Sequence, residues 1–103
     1  KLYRAFKNTT IDASMIAYYE NSDYYQPHTD SAKYSILIWI NKEPKKFTGG
    51  DLILPDFKQK IECKNNRLVL FPGYLYHQVT EIKMKGKHKI GDGRWCIVHF
   101  FDK

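Results

Sequence analysis

The sequence predicts an all-β fold, an antiparallel jelly roll or small barrel of about eight short strands. Short apolar or alternating runs recur, separated by turn signals at ~8–12-residue spacing. No segment carries a convincing long helix. A content of 43% hydrophobic and 16% aromatic residues supplies a core. At 103 residues the chain is expected to form one domain over residues 1–103, with one core and no room for a second.

In chain order, residues 2–6 read as a short first strand, ended by Lys7-Asn8-Thr9-Thr10. Residues 11–20 are ambiguous. Ile11, Met15 and Tyr18 have helical spacing, yet Met15-Ile16-Ala17-Tyr18-Tyr19 also fits a buried strand. With Asn21-Ser22-Asp23 as a turn beyond it, strand is the expectation. Ser35-Ile36-Leu37-Ile38-Trp39-Ile40 is a β run, rich in β-branched residues and closed by Asn41-Lys42-Glu43-Pro44. Thr48-Gly49-Gly50 makes a turn into Asp51-Leu52-Ile53-Leu54, which Pro55 stops. Residues 58–63 alternate weakly before an Asn65-Asn66 turn. Arg67-Leu68-Val69-Leu70-Phe71 reads as a buried strand ending at Pro72-Gly73. Residues 77–82 alternate and run toward a lysine-rich hairpin. Gly91-Asp92-Gly93 then turns the chain into the final apolar run, residues 94–101. There is no internal repeat and no low-complexity segment.

The net charge of +6 comes from 17 basic against 11 acidic residues, much of it in residues 42–46 and 83–89. A solvated turn accounts for the second cluster, and the basic balance favours an acidic protein, a nucleic acid or a small anionic partner. Cys63 and Cys96 make neither a disulfide scaffold nor a metal-type Cys-x-x-Cys, which points to two reduced thiols and a cytoplasmic protein. No apolar stretch approaches the ~18–20 residues of a membrane span, and no signal-peptide pattern is visible.

The chemistry concentrates in Tyr24-Tyr25-Gln26-Pro27-His28-Thr29-Asp30 and in Phe71-Pro72-Gly73-Tyr74-Leu75-Tyr76-His77. In an extended strand, residues two apart share a face, so His28 and Asp30 can aim into one interior. A second imidazole from a later strand would complete two histidines and one carboxylate on one face of a metal. That set leaves open positions, as non-haem Fe(II) oxygenases require. His-x-Asp alone arises by chance in many chains. Here His77 on a later strand-like run and Arg94 at the head of the last one raise its weight. His88, among lysines, reads as exposed, and His99, in an aromatic strand, as a packed residue rather than a ligand.

The order of these motifs resembles the iron- and 2-oxoglutarate-dependent dioxygenases, specifically their prolyl 4-hydroxylase-like branch, from about Met15 to Phe101. Pro27-His28-Thr29-Asp30 resembles the family's His-x-Asp, and Leu37-Ile38-Trp39-Ile40-Asn41 its apolar strand ending in Leu-Asn. Gly49-Gly50-Asp51-Leu52 resembles its Gly-Gly-Glu/Asp-Leu segment. Leu70-Phe71-Pro72 followed by His77-Gln78-Val79 resembles the part carrying the distal histidine. Residues 94–101 resemble the last core strand. The resemblance implies a double-stranded β-helix with the metal at its open end. Fe(II) would be held by His28, Asp30 and His77, and the distal carboxylate of 2-oxoglutarate by Arg94, with Tyr19 hydrogen-bonding the co-substrate. It implies a 2-oxoglutarate-dependent dioxygenase that uses O2, with ascorbate as accessory reductant, to hydroxylate a substrate. Peptidyl proline is the substrate expected first.

Two features depart from the pattern. Trp39 stands where relatives commonly carry a tyrosine that also touches the distal carboxylate. The interval from His77 to Arg94 is longer than usual in this branch, which makes Lys87 a rival carboxylate anchor. Arg94 is preferred because it opens an apolar run, whereas Lys87 lies in a Gly- and Lys-rich turn. The extra residues would form a longer hairpin near the active-site mouth. Tyr24, Tyr25, Tyr74 and Tyr76 flank the ligand positions, and aromatic walls suit a proline ring, an extended peptide or stacked bases. Two readings from other classes stand beside the enzyme. One is a non-catalytic jelly-roll binding module. The other is a basic β-barrel that binds single-stranded nucleic acid.

Overall fold

A computed structural model describes residues 10–102 of the chain. The short strand expected over residues 2–6 lies outside the described residues. Ten strands follow in order: β1 (Thr10–Tyr19), β2 (Tyr25–His28), β3 (Tyr34–Ile40), β4 (Phe47–Thr48), β5 (Leu52–Leu54), β6 (Gln59–Ile61), β7 (Leu68–Pro72), β8 (His77–Val79), β9 (Lys83–Met84) and β10 (Arg94–Asp102). A single 3-10 turn, Pro55–Phe57, follows β5 where the proline stops the strand. The ambiguous run before Glu20 is a strand, because its apolar side chains pair across a ladder with β10 rather than along one helical face.

All pairings are antiparallel. One four-stranded sheet has the order β1-β10-β3-β7 and a second the order β2-β8-β5-β6, while β4 and β9 form a small ribbon. The architecture is that of a jelly roll. Among the described residues no helix is long and apolar enough to cross a membrane.

Strict alternation fixes which side chains face inward. In β3 the inward residues Ser35, Leu37 and Trp39 are buried, and their neighbours are only partly so. Leu37, Trp39, Val69, Phe71, Cys96 and Val98 from the first sheet meet Leu52, Phe47, Cys63 and Ile82 in one core. Truncating a fully buried aromatic such as Trp39 to alanine typically costs about 3–5 kcal/mol. The outer face of the first sheet is apolar as well, with Ile16, Ile40, Leu68 and Trp95 exposed, so its strands read as continuous apolar runs.

The lysine-rich segment is not the hairpin that the sequence suggested. Strand β9 pairs with β4, and β10 pairs with β1 and β3, so β9 and β10 are not neighbours. The loop between them is pinned at the Arg94 end of β10. The Tyr18 hydroxyl accepts the Gly91 and Gly93 N–H groups at 2.7 and 2.9 Å and donates to Glu20 Oε2. Buried Asp92 takes the Lys89 N–H at 3.0 Å and the Lys42 ammonium at 3.1 Å. Gly93 is required there, because a Cβ would sit 2.2 Å from the Tyr19 carbonyl oxygen.

Candidate metal centre

Strand pairing brings the two histidines together. In the β2–β8 ladder His28 lies directly opposite His77, and their rings sit with centroids 4.2 Å apart. Asp30, two residues beyond His28, is held just past the strand end by its own N–H, which donates to the Gly73 carbonyl at 2.8 Å. His28, Asp30 and His77 then offer one ligand atom each, all within 4.8 Å of one another. His28 Nε2 is 3.6 Å from Asp30 Oδ1, and His77 Nε2 is 3.3 Å from Asp30 Oδ2.

The outer contacts orient the donors. His28 Nδ1 lies 2.8 Å from the Gln26 carbonyl oxygen, and His77 Nδ1 lies 2.7 Å from that of Leu75. Each Nδ1–H donates to a backbone carbonyl, which turns each Nε2 toward the carboxylate, the way carbonyls behind metal-binding histidines orient them. Ser35 Oγ donates to Asp30 Oδ2 at 2.6 Å. Tyr25 stacks on the His28 ring at 3.7 Å and 18°, and Phe71 meets the His77 ring edge-on at 4.7 Å.

The electrostatics ask for a cation at this point. Burial works to raise the Asp30 pKa, but hydrogen bonds from His77 and Ser35 reverse it and leave the pKa below the ordinary value. Burial works to lower the His77 pKa, but the Asp30 carboxylate and the Leu75 carbonyl raise it. Two imidazoles and one carboxylate on one face, with free Nε2 atoms, match a site that leaves several positions open.

Arg94 supplies the other half of the site. It is 2% exposed, its Nε–H donates to the Gly50 carbonyl at 2.9 Å, and its guanidinium lies 4.7 Å from the Tyr19 ring and 5.5 Å from the Trp39 ring. Among the described residues no carboxylate lies within ion-pair reach of it. A buried charge without a counter-ion is costly, so this guanidinium is suited to an incoming anion. One cavity of about 160 Å³ is lined by His28, Asp30 and His77 together with Arg94 and Tyr19. Gly50 makes room for this arrangement: its φ is +74°, and a Cβ would meet Arg94 Cδ at 2.7 Å. Lys87, the rival anchor, is exposed and does not line the cavity. Trp39 is fully buried, and its Nε1 has no hydrogen-bond partner among the described residues.

Sequence reasoning missed Ser35 and Gly50 as parts of this site. Ser35 had a readable signal, being the one polar residue on the otherwise apolar inward face of β3. Tyr25 was noted as a flanking aromatic, but its stacking on His28 depends on the bulge between the two β2–β8 pairs, which no local pattern reveals. Cys63 and Cys96 are free, buried thiols whose pKa values burial raises. His88 is exposed. His99 is partly buried, with Nδ1 unpartnered among the described residues, and it lies away from the donor set.

A crystal structure of an RmlC-like cupin protein from Desulfovibrio desulfuricans superposes on the chain with a TM-score of 0.53 at 9% identity, covering 89% of this chain and 79% of that one. At that identity the likeness shows the fold alone, a jelly roll. None of the curated proteins matches the chain. The model of the 2OG-Fe(II) oxygenase superfamily matches residues 14–102, most of the length and every residue of the site just described. The chain belongs to the 2OG-Fe(II) oxygenase superfamily.

Proposed function

We propose that the protein is a 2-oxoglutarate-dependent dioxygenase of the prolyl 4-hydroxylase-like kind, in which His28, Asp30 and His77 hold Fe(II) and Arg94 receives the distal carboxylate of 2-oxoglutarate. The observation that carries this reading is the cavity shared by the His-Asp-His donor set and a buried arginine with no ion-pair partner among the described residues. When bound, iron supplies the oxidising power from O2 and 2-oxoglutarate, which leaves as succinate and CO2, to hydroxylate a substrate C–H bond; ascorbate is the accessory reductant.

The residues divide the remaining work. Backbone carbonyls hold the imidazoles in the tautomer that presents Nε2. Ser35 fixes the Asp30 carboxylate, so that one oxygen stays turned to the His28 side. The planar Arg94 fork matches a carboxylate with two parallel hydrogen bonds, and the Tyr19 and Trp39 rings at 4.7 and 5.5 Å help hold it in place. Burial raises the Tyr19 phenol pKa against the pull of Arg94, so it stays protonated and can donate to the co-substrate. Leu37, Leu52 and Val98 line the same cavity and exclude water. Peptidyl proline is the substrate that exposed Tyr24, Tyr25, Tyr74 and Tyr76 suit, because flat aromatic faces pack on a pyrrolidine ring.

The test is an anaerobic titration of the apoprotein with Fe(II) and 2-oxoglutarate, followed by visible absorption. Chelation of the keto acid to the metal gives a weak charge-transfer band that needs both. A band that His28→Ala abolishes is the expected result. Metal binding with no band would replace the enzyme by a binding module of the same fold.

A further inference from the structure

We infer that the free edge of β1 docks the substrate as an extended, uncharged polypeptide strand; this rests on the oxygenase reading above and specifies how its substrate is held. Strand β1 ends its sheet, pairing with β10 on one side and with nothing on the other among the described residues. From Ala13 to Tyr19 it has no charged residue, no proline and no glycine, and Met15 and Ile16 are 52% and 69% exposed. Natural sheet edges are usually blunted by charge, proline or a bulge. The one bulge of β1 lies between Ile11 and Ala13, before this stretch. An edge without a strand partner among the described residues over seven residues is a template for another strand.

Its position connects that edge to the chemistry. Pairing with β10 puts Ala13, Met15, Ala17 and Tyr19 on one face. Met15, Ala17 and Tyr19 line the cavity that holds His28, Asp30, His77 and Arg94. Ala13 lines an adjoining cleft that also contains Tyr25, His28 and Asp30. Strand β2, which carries His28, ends the second sheet, so the metal centre is reached between two sheet edges. The β2 edge is the poorer template, being four residues long and interrupted by Pro27, which has no N–H. A strand added along β1 would therefore send alternate side chains over the cavity, while main-chain hydrogen bonds hold it in register.

Charge selects the class of partner. A nucleic-acid track needs cations along the backbone path. No lysine lines either cavity, and the one arginine is buried. The lysines at 42–46 and 83–89 lie outside both linings. An uncharged polypeptide matches this track, and a polyanion does not.

The experiment uses the full chain with Fe(II) and 2-oxoglutarate under anaerobic conditions. The probe is a pool of end-blocked, uncharged peptides about ten residues long, at the upper end of strand length, each with a central proline. Hydrogen–deuterium exchange across residues 13–19 should be fast on the free edge and slow when peptide binds. Exchange there that is already slow without peptide would mean the edge is taken by residues 1–9 or by a second copy, and would overturn the proposal. So would peptide binding that leaves β1 unprotected, failure of every peptide to bind, or protection by oligothymidylate in place of peptide. Met15→Pro and Ile16→Pro give a second measure. Adjacent N–H groups point to opposite edges, so one of the two spares the β1–β10 ladder. The folded variant should lose roughly tenfold more affinity for peptide than for 2-oxoglutarate; equal losses would refute docking at this edge. If Fe(II) and 2-oxoglutarate fail to bind the wild-type protein, the oxygenase reading falls and takes this inference with it. Binding of both with β1 unprotected removes the docking edge alone.

Discussion

Replacing Arg94 by glutamine, with Lys87→Gln as its control, tests which cation anchors the co-substrate. Arg94 is 2% exposed, fixed by the Gly50 carbonyl and flanked by Tyr19 and Trp39, so its fork is pre-organised before any ligand arrives. A charge-assisted hydrogen bond is worth about 1.5–3 kcal/mol net. Its loss should weaken 2-oxoglutarate roughly ten- to 150-fold. Glutamine keeps a neutral donor but cannot form the two parallel bonds, so the upper part of that range is expected. Lys87 stands in the exposed loop before β10, and its replacement should change the affinity by less than about twofold, as surface charges usually do. The assay is the anaerobic charge-transfer titration at constant Fe(II), with metal affinity measured separately by competition with a chelator. Metal affinity without 2-oxoglutarate should not fall in either variant, because Arg94 does not belong to the donor set. The reasoning fails if Arg94→Gln binds 2-oxoglutarate as wild type does, or if Lys87→Gln shows the larger loss.

Three further outcomes follow from other parts of the structure. His77→Ala should leave a folded domain without iron-dependent turnover, as checked by circular dichroism and succinate release; turnover that persists would remove His77 from the ligand set. Trp39→Phe removes a buried N–H that has no partner among the described residues, so the stability of the ligand-free protein should change by less than about 1.5 kcal/mol in denaturant titrations. A fall in 2-oxoglutarate affinity in the same variant would identify Nε1 as a donor to it, and an unchanged affinity would exclude that role. The Lys89 N–H and the Lys42 ammonium hold the Asp92 carboxylate at about 2, against an ordinary 3.8. Because the folded pKa is the lower one, its contribution is complete above 3.8 and drains away as pH falls toward 2. Asp92→Asn should flatten that acid limb of a Tm-against-pH curve, and an unaltered limb would show that Asp92 does not set it.

The sequence made the site legible further than the fold's closures. His28 and Asp30 are two residues apart on one strand, a local relation, and β alternation alone places them together. Arg94 opens an apolar run, so its strand was readable too. What stayed hidden depends on pairing between distant segments. The β4–β9 ribbon rests on two residue pairs, too few to leave a periodic signal. The loop before β10 looked like a hairpin because it has glycines and lysines at its centre. Its course is set by Tyr18 and Lys42, which are 73 and 50 residues from their partners. Ser35 and Gly50 are small residues whose roles arise from what they approach, Asp30 in one case and Arg94 in the other.

The two halves of the site also explain each other through charge. The histidines come from β2 and β8 of one sheet with Asp30 just beyond β2, whereas Arg94 comes from β10 of the other. A one-residue slip in the β2–β8 ladder would turn His77 away from His28, and the burial of His77 on the inner face opposes such a slip. Across the shared cavity the protein holds one carboxylate and one guanidinium that do not pair with each other. A divalent cation beside Asp30 and a dianion reaching Arg94 leave the whole assembly neutral. Either one alone leaves an uncompensated charge in a partly buried space. Under the proposed function, metal and co-substrate should therefore favour each other's binding, and by linkage the factor by which Fe(II) tightens 2-oxoglutarate should equal the factor by which 2-oxoglutarate tightens Fe(II). In the proposed function, the placement of Arg94 across the cavity from the donor set on β2 and β8 makes this a two-ligand site rather than a metal site alone.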